Sequence, residues 1–96
     1  MLSFASEYYH NAASGDTIRF FQDGNEHGME WKGAGWEKLG TWNVTHTYGK
    51  TFLEFTYNYA REERYIFTSL ESQSGKVVAF RLEDSLNRSW DFRAIR

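Results

Sequence analysis

Ninety-six residues with no cysteine, no proline and a formal net charge of −2 describe one small domain, 1–96, well below the length at which chains divide. The missing thiols exclude disulfide frameworks, zinc fingers and thiol catalysis. The charge excludes a broad nucleic-acid face, since residues 1–48 carry 3 basic and 6 acidic side chains and residues 49–96 carry 8 and 7, too even a balance to supply the phosphate contacts of nucleic-acid affinity.

The chain starts MLSFASEYYHNAASGD, without the basic and apolar blocks of a signal peptide, and no stretch approaches the roughly 18 apolar residues of a membrane span. A cytoplasmic, membrane-free home is therefore the expectation. Eight Phe, six Tyr and four Trp make 19% of the residues, and with few aliphatic side chains available the rings must build the core.

In chain order, Leu2 to Tyr9 reads as a weak strand, with a short amphipathic helix as its alternative, and His10 to Gly15 as a polar linker. Asp16 to Gln22 is a strand, Asp23-Gly24 a strong hairpin dipeptide and Glu26 to Lys32 the returning strand. Gly33-Ala34-Gly35 is expected to be a mobile loop. Residues 37–47 form a longer strand in which Leu39, Trp42 and Val44 share a side only if a bulge at Gly40 shifts the parity. After a turn at Tyr48-Gly49-Lys50, Leu53, Phe55, Tyr57 and Tyr59 occupy one face and Glu54, Thr56 and Asn58 the other, the period of two expected of a half-buried strand. A turn over Ala60 to Glu63 leads to Tyr65 and Phe67 on one face, with Ile66 and Leu70 making that strand apolar on both. A turn over Ser72 to Gly75 precedes Val78, Phe80 and Leu82 on a common face. Asp84 to Asn87 then turns the chain into Trp90 and Phe92.

Seven or eight short strands in sequential hairpins predict an all-β fold, a small antiparallel up-and-down barrel, with a two-sheet β-sandwich as the alternative. Closure removes the edges that a proline-free, aromatic-rich meander would otherwise expose. Eight strands leave an interior that side chains fill or that holds one small ligand, and with short strands any cavity is shallow.

Phe21-Gln22-Asp23-Gly24 at a hairpin, together with Gly40-Thr41-Trp42 within the meander, resembles the small lipocalin-like (calycin-type) barrels. The resemblance covers the strand rhythm of most of the chain and implies ligand binding or a scaffold role in preference to catalysis. Trp42 departs from the family pattern, which places its glycine-x-tryptophan element in the first strand.

Trp31-Lys32-Gly33-Ala34-Gly35-Trp36 places two indoles about a glycine-rich loop. At a barrel rim, Trp31 and Trp36 would close over an apolar ligand or stack on a sugar ring; alternatively one of them plugs the barrel end. Tyr57, Tyr59 and Tyr65 face one another across a hairpin. If inward, their hydroxyls need partners or a wet pocket, because a buried unsatisfied hydroxyl costs roughly 1–3 kcal/mol; otherwise they reach water at the barrel mouth.

His10, His27 and His46 are too dispersed for a metal set. Asp23-Gly24-Asn25-Glu26-His27-Gly28 begins like a calcium loop, but Ala34 stands where the bidentate glutamate belongs. No serine lies in a nucleophile elbow, and Glu62-Glu63 and Glu83-Asp84 read as turn acids paired on the surface with Arg61, Arg64 and Arg81. An enzyme would have to rely on His46 and the tyrosines as acid and base. The expectation is a cofactor-free, metal-free and non-catalytic barrel. It binds a small amphipathic or aromatic ligand through Trp31, Trp36, Tyr57, Tyr59 and Tyr65. Alternatives are a protein-interaction module of the inhibitor or immunity type and a carbohydrate-binding module, and homodimerisation would hide surplus exposed rings.

Overall fold

Alternating side chains and glycine turns fold into eight antiparallel strands: β1 (Tyr8–His10), β2 (Thr17–Asp23), β3 (Glu26–Gly33), β4 (Trp36–Thr47), β5 (Lys50–Tyr57), β6 (Arg61–Gln73), β7 (Lys76–Glu83) and β8 (Ser89–Ala94). The computed structural model describes residues 3–57 and 61–95, and of residue 23 the backbone alone. Each strand pairs with its neighbours in sequence, and β8 returns to β1 through Tyr9 opposite Ala94 and His10 opposite Arg93. The sheet is thus a closed up-and-down barrel, the first of the two architectures expected. No helix of the described residues is long and apolar enough to cross a membrane.

The turns follow local chemistry. Tyr48-Gly49 and Ser74-Gly75 both hold positive φ at their two central residues, which suits the twist of two-residue hairpins. The loop from Asp84 to Arg88 is organised by the Asp84 carboxylate, which accepts hydrogen bonds from the Leu86 and Arg88 amides and from Arg88 Nε. Of the turn expected over Ala60 to Glu63, Arg61 to Glu63 belong instead to β6, and residue 60 lies outside the described residues.

Three expectations of parity are corrected. The β3–β4 and β4–β5 ladders run without a register shift through Gly40, so there is no bulge there. Leu39 instead points outward, 51% exposed, while Trp42 packs inside. Gly40 lies where β4 presses on β5: a Cβ would strike the Thr56 carbonyl oxygen and come within 2.8 Å of Tyr57 Cα. The bulges belong to the β6–β7 pair, where Thr68 and Val78 are the extra residues. Val78 therefore does not share a face with Phe80 and Leu82; Val77 takes the inward position, and Val78 is buried beside Ala5, Ser6 and Ile95. The first predicted strand contracts to β1, preceded by a segment that makes one isolated bridge, Phe4 to Val77.

Rings meet across the interior. Phe80 packs against Phe92 at 5.4 Å, Phe67 at 5.7 Å and Tyr9 at 5.1 Å between centroids, with Ile18, Met29, Leu53, Phe55 and Leu82 filling the space between them. The two ends of the barrel differ. One, the Trp36 end, gathers the β1–β2, β3–β4 and β7–β8 turns; the other, the Phe4 end, carries the β2–β3, β4–β5 and β6–β7 turns.

Candidate functional site

Strand parity brings four of the five sequence-derived contact residues to the Trp36 end. Trp31 points inward from β3, 2% exposed, and donates its indole N–H to Asp16 Oδ2 at 3.0 Å. Its ring lies 5.2 Å from Tyr65, 5.3 Å from Trp90 and 6.4 Å from Trp36, so Trp31 is the indole that closes the barrel interior. Trp36 stands at the rim with 42% of its surface exposed. Tyr57 and Tyr65 are both buried, pointing inward from β5 and β6. Tyr59 lies outside the described residues.

The loop expected over Gly33-Ala34-Gly35 is shorter in the structure. Gly33 pairs directly with Trp36, leaving a two-residue turn at Ala34-Gly35, with φ of +76° at Gly35. The Trp36 indole lies over Gly33, in the space a Cβ there would need. A side chain at residue 33 would push the ring off its own strand pair.

The polar side of this end is a charged cluster that the sequence reading placed on the surface. Glu63 follows the same inward parity as Tyr65, and its Oε1 accepts hydrogen bonds from Lys38 Nζ at 2.8 Å and from the Tyr65 hydroxyl at 2.7 Å. The expected pairing of Glu63 with Arg61 or Arg64 is therefore corrected. Arg64 lies over the Phe52 ring, 3.8 Å from its centroid. Asp84 pairs with Arg88 at 2.7 Å, and Arg81 reaches Ser89. Burial by itself raises the Glu63 carboxyl, but the Lys38 and Tyr65 hydrogen bonds and the ammonium charge outweigh it and hold the group below its ordinary 4.5. Burial, reinforced by the hydrogen bond to Glu63 and its negative charge, pushes the Tyr65 hydroxyl up, so it stays a donor at neutral pH.

Lys38 also sits 5.0 Å from the Tyr57 ring centroid and 5.5 Å from that of Trp36, and Arg88 sits 5.7 Å from that of Trp90. These are cation–π distances. Trp36, Lys38, Arg88 and Trp90, with Asp16, Trp31, Glu63 and Tyr65, bound a recess of about 270 Å³; Tyr57 stands outside it. The recess is slightly below the range usual for drug-sized ligands. Its walls present broad rings, a carboxylate, an ammonium and a guanidinium. His46 bonds Thr51 at the far end of β4, so the histidine and the tyrosines do not form one constellation. Among the described residues no three His, Asp or Glu side chains gather as a metal set.

Asp16, Lys38, Glu63, Arg88 and Trp90 were not among the residues expected at the site. Lys38 and Glu63 were within reach of the sequence, because each stands two residues from a ring on an inward face, Trp36 and Tyr65 respectively. Asp16 and Arg88 lie beyond strand ends, where period-two reasoning stops. Comparison with protein-family models, curated protein sequences and solved structures finds no match to this chain.

Proposed function

We propose that this protein is a non-catalytic binding barrel, lipocalin-like in its architecture, that takes a small amphipathic or aromatic ligand at the Trp36 end. The observation that carries the reading is the convergence of Trp31, Trp36, Tyr65 and Trp90 with the Lys38–Glu63 pair on one recess of about 270 Å³. A ring held against Trp36 would keep its apolar face on the indoles and offer its polar edge to Lys38, Glu63 or Arg88. Because rings already fill the interior, the ligand seats at the barrel mouth and not along its axis.

Intrinsic tryptophan fluorescence tests the reading, in a titration with an apolar reporter dye followed by fatty acids, aromatic metabolites and sugars. The expected result is a saturable change that Trp36→Ala abolishes while the melting transition stays intact. Silence across the panel in the folded protein overturns it. A protein partner is the second reading, favoured by the exposure of Leu86 (70%) in the loop at the same end as Trp36. Tryptophan and leucine at a rim anchor a protein as well as a small ligand, and a pull-down that depends on both side chains would select this reading.

A further inference from the structure

The opposite end of the barrel is stoppered in another way. Phe4 belongs to no strand; it hangs from the segment before β1 and lays its ring parallel on Phe20, with centroids 4.1 Å apart and planes 10° apart. Tyr9, Trp42 and Phe80 surround it edge-on, at 5.7, 5.4 and 6.2 Å. One flat ring is thus stacked on a second ring and enclosed by three more, the arrangement in which a protein holds an aromatic ligand.

Two further observations set this ring apart from ordinary core. The strap that carries it is held to the barrel by individual bonds and not by a strand ladder: the Ala5 amide donates to the Val77 carbonyl at 3.0 Å, the Val77 amide to the Ser3 carbonyl at 2.7 Å and the Phe20 amide to the Glu7 carbonyl at 2.8 Å. The Ser6 hydroxyl donates to the Ile95 carbonyl at 2.8 Å, and Glu7 pairs with Arg19. The Tyr9 hydroxyl donates to the same Val77 carbonyl and accepts from the Ala5 amide. Beside the ring, the indole N–H of Trp42 is buried with no hydrogen-bond partner, in a side chain only 9% exposed. A phenyl ring offers that donor no conventional acceptor. A recess of about 460 Å³ opens next to it, lined by Phe4, Phe20, Phe21, His27 and Trp42.

We propose that the Phe4 end is a second ligand site, distinct from the Trp36 end, and that Phe4 is its intramolecular occupant. The ligand class is an uncharged planar heteroaromatic: a ring system to replace Phe4 on Phe20, carrying one acceptor atom for the Trp42 N–H. The strap over residues 3–7 then acts as a competitor that a ligand displaces.

The test uses the full chain and two probes of one shape, quinoline, which has a ring acceptor, and naphthalene, which has none. Binding is followed by ligand-observed NMR in every variant and, in chains that keep Trp42, also on its indole N–H signal. Phe4→Ala, shown to be folded by its melting transition, is expected to bind quinoline at least ten-fold more tightly than the wild type. It should also favour quinoline over naphthalene by about five-fold, as one added hydrogen bond implies. Adding Trp42→Phe should erase the preference and leave the binding, and Trp36→Ala should leave both untouched. A folded Phe4→Ala chain that binds neither probe, or both alike, overturns the proposal. Should that variant not fold, the wild type decides the matter. Excess quinoline is then expected to shift the Trp42 indole signal and to speed hydrogen exchange at the Ala5 amide, and an unmoved indole signal with unchanged exchange refutes it.

Discussion

Replacing Glu63 by Gln keeps the shape of the side chain and removes the charge at the centre of the Trp36 end. The wild-type carboxylate accepts one ammonium and one phenol hydrogen bond, at 2.8 and 2.7 Å. Charged hydrogen bonds contribute about 1.5–3 kcal/mol when fully buried, whereas exposed pairs contribute about 0.2–1 kcal/mol. The Glu63 and Lys38 side chains retain 32% and 28% of their exposure, so screening by water sets the loss between these limits, at about 1.5 kcal/mol. For a domain of this length that is a fall in Tm of roughly 6–12 °C. The pH dependence has a definite sign. The folded Glu63 carboxyl lies below its ordinary 4.5, so its contribution is fully present above the unfolded value and is lost as pH falls through the folded one. The gap in Tm between wild type and Glu63→Gln should therefore be full at pH 7 and narrow as pH falls below 4.5. Thermal unfolding of both proteins across that range reads it, and a cycle with Lys38→Met isolates the pair. A gap that is the same at pH 3 as at pH 7, or a coupling within measurement error, would refute the electrostatic reasoning.

Gly40→Ala is expected to destabilise by about 3 kcal/mol or more, because the new methyl meets backbone on β5 and not a side chain that can turn aside; urea unfolding measures it. Asp16→Ala leaves the buried Trp31 N–H without its acceptor and should lower stability by roughly 1–3 kcal/mol, with Asp16→Asn retaining much of it, in the same assay. Tyr65→Phe removes one of two donors to Glu63, so the folded Glu63 carboxyl should rise toward its ordinary value, which a carbon-detected NMR titration would follow.

The sequence made the barrel legible because its punctuation is local. Tyr48-Gly49 and Ser74-Gly75 specify hairpins within a few residues, as does Gly24-Asn25, one residue on from the expected Asp23-Gly24, and Leu53, Phe55 and Tyr57 carry the period of two unbroken. What escaped was decided by partners distant in sequence. A bulge at Thr68 or Val78 is a property of two strands in register, and neither residue signals it alone. Leu39 was assigned to the interior on its hydrophobicity, and the false bulge at Gly40 followed from that assumption; the glycine is required instead by the closeness of β5. Glu63 reads as a surface turn acid because isolated charges are usually solvated, yet it meets Lys38. Each is neutralised by the other across strands, information absent from either strand by itself.

The seam between β1 and β8 also bears on how the chain reaches this form. Every other strand pair joins neighbours in sequence, so seven hairpin contacts can zip in succession at small loop-closure entropy. One contact, Tyr9 with Ala94 and His10 with Arg93, must bring together the two extremities of the chain, and it has only a three-residue strand to hold it. The ring is therefore expected to close last and to reopen first. A brief opening there would expose the edges of β8 and β1, surfaces on which another chain can add a strand.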